Sequence, residues 1–141
     1  MSLPKDLVLE IVTPDRLLVR ETVDEVELPG AEGYLGILPG HTPLLGILKV
    51  GEMWYRKGTN KTYLSIAFGF VEVLPDKVTV LAQLAERAED IDVPRAEEAR
   101  KRAEARLAKP AADLDYERCA IALAKAMSRL QAAAHAGVPR H

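Results

Sequence analysis

The sequence predicts an α+β protein in two parts, an all-β N-terminal domain followed by an α C-terminal domain. The first, over residues 1–88, is an antiparallel β-sandwich, and the second, over residues 89–141, is an antiparallel two-helix hairpin. Three observations carry this. Up to about Ala85, short apolar runs alternate with turn residues; near residue 90 Pro and Gly give way to Ala, Arg and Glu; beyond that point apolar residues recur at helical spacing.

The strands come in order. Leu7 to Val12 ends at Thr13-Pro14-Asp15, and Val23, Val26 and Leu28 lead to Pro29-Gly30. Tyr34 to Leu38 ends at Pro39-Gly40, and Leu44 to Val50 stops at Gly51. Met53 to Arg56 and Thr62 to Ile66 flank Gly58-Thr59-Asn60, while Phe70 to Leu74 and Val78 to Leu81 flank Pro75-Asp76-Lys77. Both loops have hairpin length and chemistry. Even spacing with β-branched residues alternating against polar ones is the pattern of a sandwich or barrel. Only 5% of the chain is aromatic, so the core falls to Leu, Ile, Val and Ala.

The helices follow. Asp92 is placed as an N-cap with Pro94 in the first turn, and Arg95 to Ala108 puts Ala96, Ala99, Ala103 and Leu107 on one stripe. Lys109-Pro110-Ala111-Ala112 breaks the pattern. From about Leu114 to Ala134 a second helix is expected to seat Tyr116, Ala120, Leu123, Met127, Leu130 and Ala134 against the first. A seam of mostly Ala buries little area, so at ~25 cal/mol per Å2 it holds more weakly than one of Leu.

Charge is distributed unevenly. Residues 1–92 carry nine Lys or Arg against fifteen Asp or Glu, a net of −6, and residues 93–141 carry ten against six, a net of +4. A cationic tail behind an acidic body suggests an acidic partner for the tail. Nucleic acid is a poor candidate, because Tyr116 is the tail's single aromatic residue. No apolar run approaches membrane-spanning length, and Met1 to Asp6 reads as no secretory signal, so direct membrane insertion is not expected. The single cysteine, Cys119, suits a reducing compartment.

Catalytic patterns are absent from the sequence. His41, His135 and His141 lie far apart without metal-ligand partners at helical or strand spacing. Ser2, Ser65 and Ser128 sit in no nucleophile elbow, and Gly30, Gly33, Gly36 and Gly40 match neither a phosphate loop nor a dinucleotide fingerprint. Two stretches remain. The loop Gly36-Ile37-Leu38-Pro39-Gly40-His41-Thr42-Pro43-Leu44-Leu45 reads as a proline-stiffened crossover, and equally as a docking surface presenting His41, Leu44 and Leu45. The segment Glu86 to Ala96 reads as a linker with a capped helix start, and it sets Arg95 beside a helix N-terminus that favours anions.

These stretches resemble the epsilon subunit of the F-type ATP synthase. Leu35 to Leu45, Gly69-Phe70-Val71-Glu72-Val73, Val78-Thr79-Val80-Leu81-Ala82, Glu86-Arg87, Ile91-Asp92, Arg95-Ala96 and the hairpin through Leu130 carry the likeness. It covers nearly the whole chain. The resemblance implies a non-catalytic rotor subunit of a proton-translocating synthase, at the cytoplasmic side of a bacterial plasma membrane. Its sandwich would pack on the gamma subunit and the c-subunit ring. Glu32, Tyr34, His41, Leu44 and Leu45 are then the docking candidates. The hairpin would be a movable arm that opposes ATP hydrolysis at the alpha/beta catalytic hexamer, through Arg118, Lys125 and Arg129. No cofactor is required, but some relatives bind regulatory ATP on the folded arm, and by position this implicates Glu86, Ile91, Asp92, Arg95, Ala96, Lys125 and Arg129. Three departures stand out. Lys125 replaces an arginine and lacks its planar fork; Phe68 stands where glycine is usual; Tyr34 lies in a segment that is often charged. Other classes remain open at this point, namely a free-standing nucleotide-sensing module using Asp92, Arg95, Lys125 and Arg129, and a small hydrolase.

Overall fold

The computed structural model describes residues 4–109 and 111–138. Seven strands come first: β1 (Leu7–Val12), β2 (Leu17–Val23), β3 (Glu25–Gly30), β4 (Gly33–Ile37), β5 (Leu44–Lys57), β6 (Asn60–Leu74) and β7 (Lys77–Arg87). A 3-10 turn at Ala88–Asp90 leads to helices α1 (Val93–Ala108) and α2 (Tyr116–His135). His141 and the helix-breaking Pro110 lie outside the described residues.

The strands form one sheet in the order β2-β1-β7-β6-β5-β3-β4. Inward side chains from all seven meet in one cluster, including Leu9, Ile11, Val23, Leu28, Ile37, Met53, Ile66 and Val80, so the sheet must curl over on itself. Every one of these eight is inaccessible to solvent. Pairing is antiparallel except between β1 and β7, which run parallel. The sheet is thus antiparallel as expected, with one parallel pair added where β1 meets β7. The sequence pattern also missed β2 as a strand. It is an edge strand that buries only Val19 and Val23 and exposes Arg20, Glu21 and Thr22, so its apolar signal is thin.

The runs Leu44–Val50 and Met53–Arg56 are one strand, and so are Thr62–Ile66 and Phe70–Leu74. They read as separate because alternation breaks inside each. On β6 the core residues are Leu64 and Ile66, then Val71 and Val73, an odd step that swaps the inward face. The same swap occurs on β5 between Leu48 and Met53, and on β7 between Ala82 and Ala85. All three fall near one cross-strand row, Leu48–Gly69–Ala82. The backbone makes the change at Phe68 (φ 63°) and Gly69 (φ 139°). A Cβ on Gly69 would lie 2.0 Å from the Leu81 carbonyl oxygen, so only glycine fits there. Phe68 is the one described non-glycine residue with positive φ, which gives its departure from glycine a backbone cost.

Asp92 caps α1 as expected, its carboxylate accepting from the Arg95 N–H at 3.1 Å. Asp115 does the same for α2 through the Arg118 N–H. Gly137 (φ 74°) ends α2, with Val138 N–H bonded back to the Ala133 carbonyl. α2 lies on β5 and β6, and α1 packs on α2. The expected stripe on α2 is therefore only partly right. Leu130 is buried and Leu123 half-buried, but Tyr116, Ala120, Met127 and Ala134 are exposed. Cys119, Ala126, Ser128, Ala132 and Ala133 are buried instead. A helix between a sheet and another helix buries two faces, and a single-stripe reading cannot represent that.

Candidate functional site

Sheet and hairpin meet around a cleft of about 620 Å3. Leu84 and Glu86 from β7 and Ser65 and Ala67 from β6 form its floor, and Lys125 and Arg129 from α2 overhang it. The Arg129 guanidinium grips Glu86, with Nε 2.8 Å from Oε1. One turn earlier, the Lys125 ammonium sits 5.9 Å from the centroid of the Phe68 ring. The positive φ of Phe68 thus falls at the sheet's parity swap and beside the arm's second helix. At the cleft's floor the hydroxyls of Ser65 and Ser128 lie 2.8 Å apart, both buried.

Of the residues proposed for ATP, three share this cleft: Glu86, Lys125 and Arg129. Ile91 and Ala96 are buried with Ala88, Val93, Leu130, Ala132 and Ala133 in a small cluster that ties the turn and α1 to α2. Asp92 is the α1 cap, and Arg95 is exposed. Arg118 is exposed in the first turn of α2, away from the cleft lining. The cleft carries four cationic side chains (Arg16, Arg87, Lys125 and Arg129) against Glu86 and Asp90, so it suits an anion. A phosphate chain would compete with Glu86 for Arg129. The donor set would suit a phosphate-bearing anion that takes the place of the Glu86 carboxylate on Arg129.

The second cleft, about 500 Å3, lies at the other end of the sandwich and gathers Glu32, Tyr34, Leu44 and Leu45. His41 stands apart, its Nδ1 2.7 Å from the Thr42 carbonyl. Burial raises the pKa of the Tyr34 hydroxyl; a hydrogen bond from the Glu52 backbone opposes this, and the Glu52 and Glu27 carboxylates add to it. Beside Leu45, which is 75% exposed, runs a cross-strand row of Ile47, Phe70 and Leu81, each more than half exposed. This row lies on the strands beyond the loop that the sequence singles out for docking. Its signal is in the sequence as adjacent apolar pairs, Ile47-Leu48, Phe70-Val71 and Val80-Leu81, because neighbours on a strand point to opposite faces. Also unforeseen is the contact between His135 at the end of α2 and Glu52 on β5.

Among the described residues there is no cluster of three or more His, Cys, Asp or Glu able to hold a metal, and no helix long and apolar enough to cross a membrane. A curled sandwich with an exposed apolar row on one face and a helical hairpin folded onto its flank is the architecture of a two-domain subunit without a catalytic pattern in its sequence. The chain belongs to the ATP synthase delta/epsilon family: its beta-sandwich domain matches residues 6–88 and its long alpha-helix domain residues 89–134. It is 58% identical over 98 residues to the ATP synthase epsilon chain of Koribacter versatilis, covering 70% of this chain and 69% of that one. To the epsilon chain of Nitratidesulfovibrio vulgaris it is 46% identical over 127 residues, covering 90% and 95%. A chain in the Euglena gracilis mitochondrial ATP synthase, solved by cryo-electron microscopy as OSCP, F1 and c-ring, superposes with a TM-score of 0.83 at 25% identity, covering 96% of this chain and 85% of that one.

Proposed function

We propose that this epsilon-type chain works as a non-catalytic rotor subunit of a proton-translocating ATP synthase, joining the gamma subunit to the c-subunit ring. The observation that carries this is the exposed row Ile47–Phe70–Leu81, continued along the same face of β5 by Leu45. A contiguous apolar patch on a sheet face marks a surface that a partner covers. Replacing Phe70 and Ile47 by Asp should leave the sandwich folded, since both side chains face outward, and should abolish copurification with gamma and the c ring. Assembly at the normal level in that variant would overturn the reading. The place of action is then the cytoplasmic side of a bacterial plasma membrane, as a peripheral part of F1.

The hairpin serves as the regulatory arm. Arg100, Lys101, Arg102, Arg106 and Arg118 make it cationic, and its target is the acidic face of the alpha/beta hexamer. Removing residues after Ala88 should raise ATP hydrolysis by the assembled enzyme and leave attachment intact. ATP binds the docked arm weakly, in the cleft of Lys125 and Arg129, and the role of Glu86 is to hold Arg129 until phosphate replaces it. Calorimetry on the Lys125→Arg variant should show tighter binding than wild type, because a planar fork adds a second parallel bond. A free-standing nucleotide sensor would show the same calorimetry without any copurifying partner.

A further inference from the structure

We propose that Arg16, on the turn between β1 and β2, is a further anion-binding residue of the larger cleft. It faces Lys125 and Arg129 from the opposite wall and grasps the same polyphosphate chain from the sandwich side. This rests on the reading of that cleft as a site for ATP.

Strand register puts Arg16 there. β1 runs parallel to β7 and ends where Val12 pairs with Leu81. The turn over residues 13–16 therefore takes the place that β1 vacates beside the second half of β7. The other side of that half is β6, paired through Ala67–Leu84 and Ser65–Glu86, and these four residues floor the cleft. α2 lies on β5 and β6, so it walls the cleft from the β6 side while the turn walls it from the β1 side. Arg16 is accordingly the one lining residue that β1 and β2, with their turn, contribute.

The turn is held firmly. Thr13 N–H donates to the Arg16 carbonyl at 2.9 Å, and Arg16 N–H donates to Thr13 Oγ1 at 3.3 Å. Arg87, at the end of β7, donates from Nη2 to the Leu18 carbonyl at 3.2 Å, which ties the start of β2 to the cleft's edge. A fixed backbone beneath the guanidinium lowers the cost of ordering it around a ligand.

Charge sets Arg16 and Lys125 apart from the other two cations. Arg129 is held by Glu86, and Arg87 by the Leu18 carbonyl. Among the described residues neither Arg16 nor Lys125 is in a salt bridge, and the neighbour of the Lys125 ammonium is the Phe68 ring, 5.9 Å to its centroid. Asp90, the second carboxylate of the lining, sits in the 3-10 turn after β7 and leaves the cleft a net positive charge. Unpaired cations on facing walls suit an anion that carries charge on successive groups. A di- or triphosphate chain has that form, and the planar fork of Arg16 matches its oxygens.

The test is calorimetry on the full chain with ATP and with inorganic triphosphate, comparing wild type, Arg16→Gln, Lys125→Gln and Arg20→Gln. Arg20 carries the same charge on β2 outside the cleft lining. Arg16→Gln should weaken both ligands about fivefold, the scale of one exposed charge pair, with Arg20→Gln within about twofold of wild type. The Arg16 side chain is exposed and makes no hydrogen bond within the described residues, so the variant should fold, and thermal unfolding without ligand checks this. Unchanged affinity in Arg16→Gln beside weakened binding in Lys125→Gln overturns the role of Arg16 and keeps the cleft as the ATP site. Equal weakening by Arg16→Gln and Arg20→Gln reduces the effect to net charge and overturns it as well. Weakening confined to ATP overturns the contact with the phosphate chain. No heat from wild type with either ligand removes the site itself, and this inference with it.

Discussion

The interior of the sandwich and the contact between sheet and hairpin are built from different materials. Inside the sandwich, Leu, Ile and Val from seven strands meet with no solvent access. Between sheet and hairpin lie Ala67 and Ala126, Tyr63 packed on the small cluster around Leu130, a pair of serines, one arginine–glutamate bridge and one histidine–glutamate bond. Apolar area scales with side-chain size, so the first holds many times more free energy than the second. The second adds to a small apolar patch a few hydrogen bonds and ion pairs, whose net worth is about 1 kcal/mol or less each because water replaces them on opening. One chain thus contains a body closed by apolar packing and a hairpin held on it by a thinner and more polar contact.

Substitutions can break that contrast at either end. The largest effect should come from Gly69→Ala, which combines a forbidden φ with a 2.0 Å clash against the Leu81 carbonyl. A loss of about 3–5 kcal/mol is expected, seen as a lowered urea midpoint for the sheet signal. Next, Leu130→Ala removes one of the two largest side chains buried in the small hairpin cluster and should cost about 2–3 kcal/mol. Its effect should appear in helical ellipticity before the sheet signal changes; simultaneous loss of both would mean that body and arm are one cooperative unit.

The serine pair gives a sharper test. Ser65→Ala alone strands a buried Ser128 hydroxyl and should cost about 1–2 kcal/mol, whereas the double Ala variant should recover most of that. Thermal denaturation of the four-member cycle measures it. Replacing both serines by cysteine should let a disulfide form across the same gap, and the locked enzyme should hydrolyse ATP as fast as one lacking the arm. The smallest effect belongs to Arg129→Gln. With side chains 25% and 36% exposed, its bridge to Glu86 should contribute below about 1 kcal/mol and fade as salt rises from low to molar concentration.

The division between body and arm was legible in the sequence because it rests on period: two-residue alternation to Ala85, then helical spacing from Arg95. The Asp92 cap was legible for the same local reason. What escaped depends on elements meeting. Ser65 and Ser128 are sixty-three positions apart and showed only that neither was a nucleophile. β5 and β6 looked like four strands because the alternation that defines a strand reverses within each, at Gly51 and at Phe68–Gly69. Of the site residues, Glu86, Lys125 and Arg129 do converge, while Ile91 and Ala96 are packed in the arm's own small core. The family motif mixes residues that would touch a ligand with residues that shape the helix start, and a linear pattern does not separate them.

The parity swap near the Leu48–Gly69–Ala82 row has a mechanical consequence. Because β5, β6 and β7 continue through it instead of ending in loops, β6 alone runs fifteen residues, up to about 50 Å at 3.3 Å per residue. The inward face changes sides halfway, so the outer face is helix-covered along one half and bare and apolar along the other. A twisting load applied at the bare end would reach the covered end through unbroken backbone and rows of hydrogen bonds pulled in shear, without passing through a flexible connector. The sandwich is therefore a stiff spar, and the hairpin rides on the half of it that need not bear the load.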